Sequence, residues 1–148
     1  MTRHLLPDQR VTLLTLGVRD LGRAKAFYRT LGWHPAREME GVAFYQMHGG
    51  WVLGLYPLAD LASDMERDPA GLGTGAATLA QNHASEEEVD AAIHRAVQAG
   101  ATLVRSAQAT AWGGYSGYWA DPDGHVWEIS HNPFWPLSED GGLTLPPE

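Results

Sequence analysis

The sequence predicts a single α+β domain built from two halves of one plan. Three observations carry that prediction: short β-rich runs alternate with amphipathic helical segments, the order β-α-β-β occurs twice, and compact turn signals separate the later strands of each half. At 148 residues the chain fits one domain with a real hydrophobic core.

In the first half, VTLLTLG (11–17) is a strand and Asp20 then opens a helix on which Leu21, Ala24, Phe27, Tyr28 and Leu31 recur at helical spacing. Gly32 ends it. VAFYQMH (42–48) and WVLGLYP (51–57) follow as strands, joined by Gly49-Gly50, a pair suited to a two-residue hairpin. The half reads β-α-β-β with room for one more strand, and spans about 10–57. Residues 58–75, with Asp, Ser, Pro and Gly and no sustained period, are expected to form an irregular surface connection.

The plan then repeats over about 76–132. ATLAQNH (77–83) is a strand, and Ser85 with Glu88 forms a capping box ahead of the stripe Val89, Ala92, Ile93, Ala96 and Val97. Gly100 stops the helix. ATLVRS (101–106), YSGYWA (115–120) and HVWEIS (125–130) are strands, the last two joined by Asp121-Pro122-Asp123-Gly124. The tail, 133–148, is expected to be irregular. Laid on one another, the halves match Asp20 with Ser85 as helix caps and Gly50 with Gly124 before the closing strands. Paired into one curved sheet, they would cover each other around a central cavity, which is the expected site.

Composition narrows the partners. Apolar residues make up 44% and charged residues 19%, a globular balance. The absence of cysteine excludes disulfides, thiolate metal sites and a cysteine nucleophile. A net charge of -8, with Lys25 the only lysine, argues against nucleic acid. No apolar run is long enough for a membrane span and the start lacks a signal-peptide core, so the expectation is a cytoplasmic protein with a small-molecule ligand.

Two stretches carry a family resemblance. LGVRDLGRAKAFYRTLGW (16–33) and YWADPDGHVWEISHNP (118–133) resemble the opening and closing signatures of the glyoxalase/bleomycin-resistance (vicinal oxygen chelate) proteins. The resemblance implies two βαβββ modules forming a curved mixed sheet around a cavity, and a homodimer. Members of the family include metal-dependent isomerases, epimerases and dioxygenases, antibiotic-modifying transferases, and metal-free drug-sequestering proteins; the fold alone does not choose among them.

In the metal-dependent members each module gives one ligand from its first strand and one from its last. The matching positions here are Leu13, Gly54, Thr78 and Glu128. Only the carboxylate is a good ligand, so the resemblance implies no cofactor and no family-type metal site. The alternative is a metal-dependent lyase, isomerase or dioxygenase with an off-pattern site, from His48 or His131 with Glu128.

Glu128 shares a strand face with Val126 and Ser130. If that face lines the cavity, burial would raise its carboxyl toward the range of a general acid or base; equally, it could anchor an arginine or a backbone amide. Trp112, Tyr115, Tyr118, Trp119 and Trp127 crowd together, with Phe134 and Trp135 close after. Such aromatics suit a planar ligand or ordinary sheet packing. Tyr115 and Tyr118 point to opposite faces, and both are candidates. Trp112-Gly113-Gly114 reads as a lid at the mouth, and Gln46, Tyr56 and Asn82 are polar candidates on the other walls. Two functions fit: sequestering a small aromatic molecule, or acting on it as a lyase, isomerase or cyclase with Glu128 as acid or base.

Overall fold

The computed structural model describes residues 5–148. The first half contains β1 (Leu13–Val18), α1 (Leu21–Leu31), β2 (Arg37–Met39), β3 (Val42–Gln46) and β4 (Val52–Pro57). After α2 (Leu58–Asp64) and a 3₁₀ turn at Pro69–Gly71 come β5 (Thr78–Asn82), α3 (Glu86–Gln98), β6 (Thr102–Ala109), β7 (Tyr115–Ala120) and β8 (Val126–His131). The strand order is β1-β4-β3-β2 in one sheet and β5-β8-β7-β6 in the other, so the repeat is one of topology. In each, the first and last strands run parallel and the hairpins antiparallel.

The helices start and stop where their end residues dictate. Asp20 accepts a 3.0 Å hydrogen bond from Arg23 N–H, and Ser85 Oγ accepts one of 3.2 Å from Glu88 N–H while Glu88 Oε2 takes Ala84 N–H at 2.9 Å, a reciprocal cap. Gly32 closes α1 at φ 105°, a left-handed conformation in which a side chain is strained.

Alternation along the strands sends one side chain set into the core and the next to the opposite, inner face. Leu16, Val18, Leu53 and Leu55 are buried with Ala24, Phe27 and Tyr28, and Trp119, Trp127 and Ile129 with Val89, Ala92, Ile93 and Ala96. All belong to one continuous core. Its centre is aromatic: Trp119 and Trp127 face each other across β7 and β8 with centroids 5.5 Å apart, and Phe27, Tyr28 and Trp33 pack around them. Thus Trp119 and Trp127, of the aromatic crowd in the sequence, are core.

Polar links hold the end of β1 to the β7–β8 turn. Asp123 Oδ1 accepts from Arg19 N–H at 2.8 Å, and His125 Nε2 lies 2.8 Å from the Gly17 carbonyl. Along their length, however, edge strands β1 and β5 form no ladder, so the curved mixed surface is made of two sheets hydrogen-bonded separately.

The segment 58–75 departs from the irregular connection expected. It contains α2, whose Ala62 is fully buried, and Leu58 and Leu61 lie against Gly17, where a Cβ would stand 2.8 Å from Leu58 Cδ1. A helix this short shows too few turns for its period to emerge in the sequence. The extra strand of the first half is β2, and β6 runs on to Ala109. Within the tail, strand-like pairing is confined among the described residues to the bridge Leu137–Leu143.

Candidate functional site

β5 and β8 run parallel with Ala80 opposite Glu128 and Asn82 opposite Ser130. Side chains two apart on neighbouring strands share a face, so these four converge on the inner face of the second sheet. There they line a cavity of about 540 Å³ together with Trp112, Asn132, Phe134 and Trp135.

The cover of this cavity is built from turns. Thr110 N–H donates to the Gly114 carbonyl, and Gly114 N–H to Thr110 Oγ1, both at 2.9 Å, which closes the β6–β7 loop. A Cβ on Gly114 would collide with the Trp112 ring and lie 2.8 Å from the His131 carbonyl, so glycine lets the indole fold back over the backbone. Asn132 then turns the chain, its Oδ1 accepting from Phe134 N–H at 2.9 Å and its carbonyl from Trp135 N–H at 3.2 Å. Phe134 comes to rest against Gly113. Trp112, Phe134 and Trp135 stay 49%, 64% and 39% exposed. All three are large apolar groups left in water around the cavity.

Glu128 is only partly buried. Its carboxylate makes no hydrogen bond or ion pair among the described residues, and the anchoring role is not seen. The nearby cation is engaged elsewhere: Arg105 Nη2 donates to the Ser116 carbonyl at 2.7 Å and to Ser116 Oγ at 2.8 Å, and its guanidinium stacks 4.9 Å from the Tyr118 ring centre. Tyr118 lies directly opposite Glu128 on the inner face.

The remaining candidates go elsewhere. Tyr115 points to the helical side, where its hydroxyl donates to Asp90 at 2.6 Å; that hydrogen bond is the main cause that pushes its phenol up to about 12. Tyr56 donates to Asp64 on α2 at 3.1 Å. Gln46 Nε2 donates to the Trp51 carbonyl at 3.2 Å across the β3–β4 turn. Leu13 and Thr78 are exposed on edge strands, and Gly54 is buried between Thr15 and Phe44. Of the candidates, Asn82, Trp112, Glu128 and Ser130 are therefore the ones brought together around this cavity.

A family-type metal does not fit this donor set. Leu13 and Gly54 offer no side-chain donor, Thr78 offers a neutral hydroxyl, and no three His, Asp or Glu among the described residues gather as a metal-binding group. The off-pattern combination is also dispersed. His48 lines a different cavity from Glu128, and His131 Nδ1 lies 2.9 Å from the His83 carbonyl.

Ala80 and Asn132 escaped the sequence reading, and Phe134 and Trp135 entered it only as neighbours of the aromatic crowd. The signal was the aromatic pair after Pro133, whose placement depends on the Asn132 turn rather than on strand periodicity.

Comparison with known proteins agrees with this architecture. Residues 10–129 match the sequence profile of the Glyoxalase/Bleomycin resistance protein/Dioxygenase superfamily. A glyoxalase-related enzyme from Fulvimarina pelagi is 40% identical, with a TM-score of 0.84 over 93% of this chain and 98% of that one. A lactoylglutathione lyase from Agrobacterium tumefaciens, 22% identical, superposes with a TM-score of 0.67 over 89% of this chain and 100% of that one, a likeness of fold alone. An uncharacterized protein of Mycobacterium bovis is 39% identical over 61 residues, 41% of this chain and 38% of that protein's length. Among the described residues no helix is long and apolar enough to cross a membrane. On its profile, its topology and its relative from Fulvimarina, the chain belongs to the glyoxalase/bleomycin resistance protein/dioxygenase superfamily.

Proposed function

We propose that the inner-face cavity of the second sheet binds a compact planar organic molecule without a metal. Trp112, Phe134 and Trp135 supply stacking surface, while Asn82, Ser130 and Glu128 fix its orientation. Glu128 accepts a hydrogen bond or a proton from the ligand. The observation that carries this reading is a carboxylate without a protein partner among the described residues, at a cavity rimmed by three exposed aromatics. Likeness to a protein described as a glyoxalase-related enzyme favours turnover, of lyase, isomerase or cyclase type, over sequestration.

The test is a thermal-shift and fluorescence titration with catechols and other aromatic compounds, since a ligand stabilises the folded state by mass action. For a compound that binds, Glu128→Gln and Trp112→Ala each weaken affinity by about tenfold, the size of one hydrogen bond to a charge or one aromatic contact. Unchanged affinity in both removes the cavity from consideration. Stoichiometric iron, zinc, nickel or manganese in protein purified without chelator overturns the metal-free part. The exposed Leu13 on the inner face of β1 also fits burial in a homodimer, which sedimentation tests.

A further inference from the structure

A larger cavity, about 560 Å³, lies at the seam between the two halves. Arg19 and His125 close this seam at the end where β5 begins, because Thr78 pairs with Val126 beside them. The other end is open. There the far part of β5, Ala80–Asn82, and His83 just after it meet the β3–β4 turn, with Trp33 and Trp119 behind and Arg95 of α3 at the side.

The chemistry of this crevice differs from that of the molecule around it. The chain carries a net charge of -8, yet no Asp or Glu is among the described residues lining the cavity, where Arg95 is the one fixed charge. Arg95 is exposed and makes no ion pair among the described residues. The other titratable groups lining it are His34, His48, His83 and Tyr45. Acids stand outside it: Glu88 Oε2 is 3.9 Å from His83 Nδ1, Asp140 senses His48, and the Glu38 charge reaches Tyr45.

Two polar atoms of lining residues lack a partner. His83 Nε2 and the Tyr45 hydroxyl are buried without a hydrogen bond among the described residues, and Tyr45 is 2% exposed. An unmet buried polar group costs about 1–3 kcal/mol, so such atoms persist where something else meets them. Burial holds the His83 imidazole below its ordinary value, which keeps a ring nitrogen able to accept. Trp33 and Trp51, both partly exposed, complete the walls over the buried Trp119, flat faces that suit a flat ligand.

We propose that this crevice is a second binding site, specific for a compact aromatic carboxylate: the tryptophans take the ring, Arg95 the carboxylate, and His83 and Tyr45 a ring substituent. A guanidinium paired with a carboxylate gives orientation as well as affinity. The site stands independently of the inner-face cavity, although Ala80 and Asn82 of β5 border both.

The experiment is isothermal titration of the whole chain with benzoate, 4-hydroxybenzoate and the neutral isostere benzamide. Both carboxylates bind saturably, 4-hydroxybenzoate the tighter, and benzamide binds at least about tenfold more weakly. Arg95→Gln, a change at an exposed position, weakens benzoate by about tenfold, and His83→Ala removes the advantage of the hydroxyl. Tyr115→Phe leaves benzoate affinity within about twofold, because the Tyr115 hydroxyl is held by Asp90 on the helical side, away from both cavities. The proposal is overturned if neither carboxylate binds at millimolar concentration, if Arg95→Gln changes nothing, or if Trp112→Ala abolishes binding.

Discussion

The Tyr28 hydroxyl donates a 2.7 Å hydrogen bond to Asp121 Oδ2, joining the helix of the first half to the closing turn of the second. The same hydroxyl accepts from Trp127 Nε1 at 3.2 Å, and Asp121 Oδ1 takes the N–H groups of Asp123 and His125 at 2.9 and 3.0 Å. Tyr28→Phe keeps the ring and strands a carboxylate oxygen in the interior. The expected loss is about 1–3 kcal/mol in urea unfolding, because the acceptor keeps its desolvation cost.

That pair also sets an alkaline limit. Burial, and then the Asp121 charge, pushes the Tyr28 phenol well above its ordinary 10.0. The folded pKa is the higher one, so the contribution is complete below pH 10 and declines as pH rises beyond it, where the unfolded phenol ionises first. Unfolding followed from pH 9 to 11.5 should show stability falling, less steeply in Tyr28→Phe than in the parent.

His83 works in the opposite sense at acid pH. Its folded pKa is lowered from 6.5, mainly by burial, with Glu88 opposing and Arg95 assisting. Stability is therefore full above pH 6.5 and is lost as pH falls through the folded value. His83→Gln should flatten the acid limb between pH 6.5 and 5, and an unaltered limb would show that another group controls it.

At the seam, Asp123 and its arginines should contribute unequally. The Asp123 side chain is 3% exposed while Arg19 and Arg23 are 65% and 47% exposed, and its Oδ1 also accepts the Arg19 backbone N–H. Asp123→Ala should cost about 2–3 kcal/mol through that lost acceptor, whereas Arg19→Ala should cost under about 1 kcal/mol, as screened pairs do. Chemical denaturation of the two variants decides between them.

Gly117 is a packing requirement. A Cβ there would stand 2.6 Å from Ile93 Cδ1 and 2.8 Å from Ala107 N, where the β6–β7 register shifts between Arg105 and Gln108 and brings backbone close. Gly117→Ala should lose about 1–3 kcal/mol by overpacking, measured by thermal unfolding; a neutral result would mean the irregular strand yields.

The outline of this fold was open to reading because its signals are local. Asp20 and Ser85 cap the helices they precede, Gly32 stops the first, and Asp121-Pro122-Asp123-Gly124 turns between β7 and β8. What stayed hidden depends on contacts distant in sequence. Tyr118 and Trp119 are adjacent aromatics on opposite faces, so alternation could not say which side was core until Ile93 and Phe27 were in place around β7. For the same reason Tyr115 read as a ligand group although Asp90, on a helix, holds it. Glu128 was singled out because it stands where the closing-hairpin resemblance puts a last-strand ligand, and the structure sets it opposite Ala80.

Helix α2 makes the two halves unequal. Leu58 and Leu61 rest on Gly17 and Tyr56 is tied to Asp64, so the first bowl is stoppered by the chain's own next segment. A designer wishing to rebuild a four-donor centre would thus have to unplug that bowl before grafting any histidine onto β1, whereas the twin bowl beside Glu128 lies ready to be reshaped.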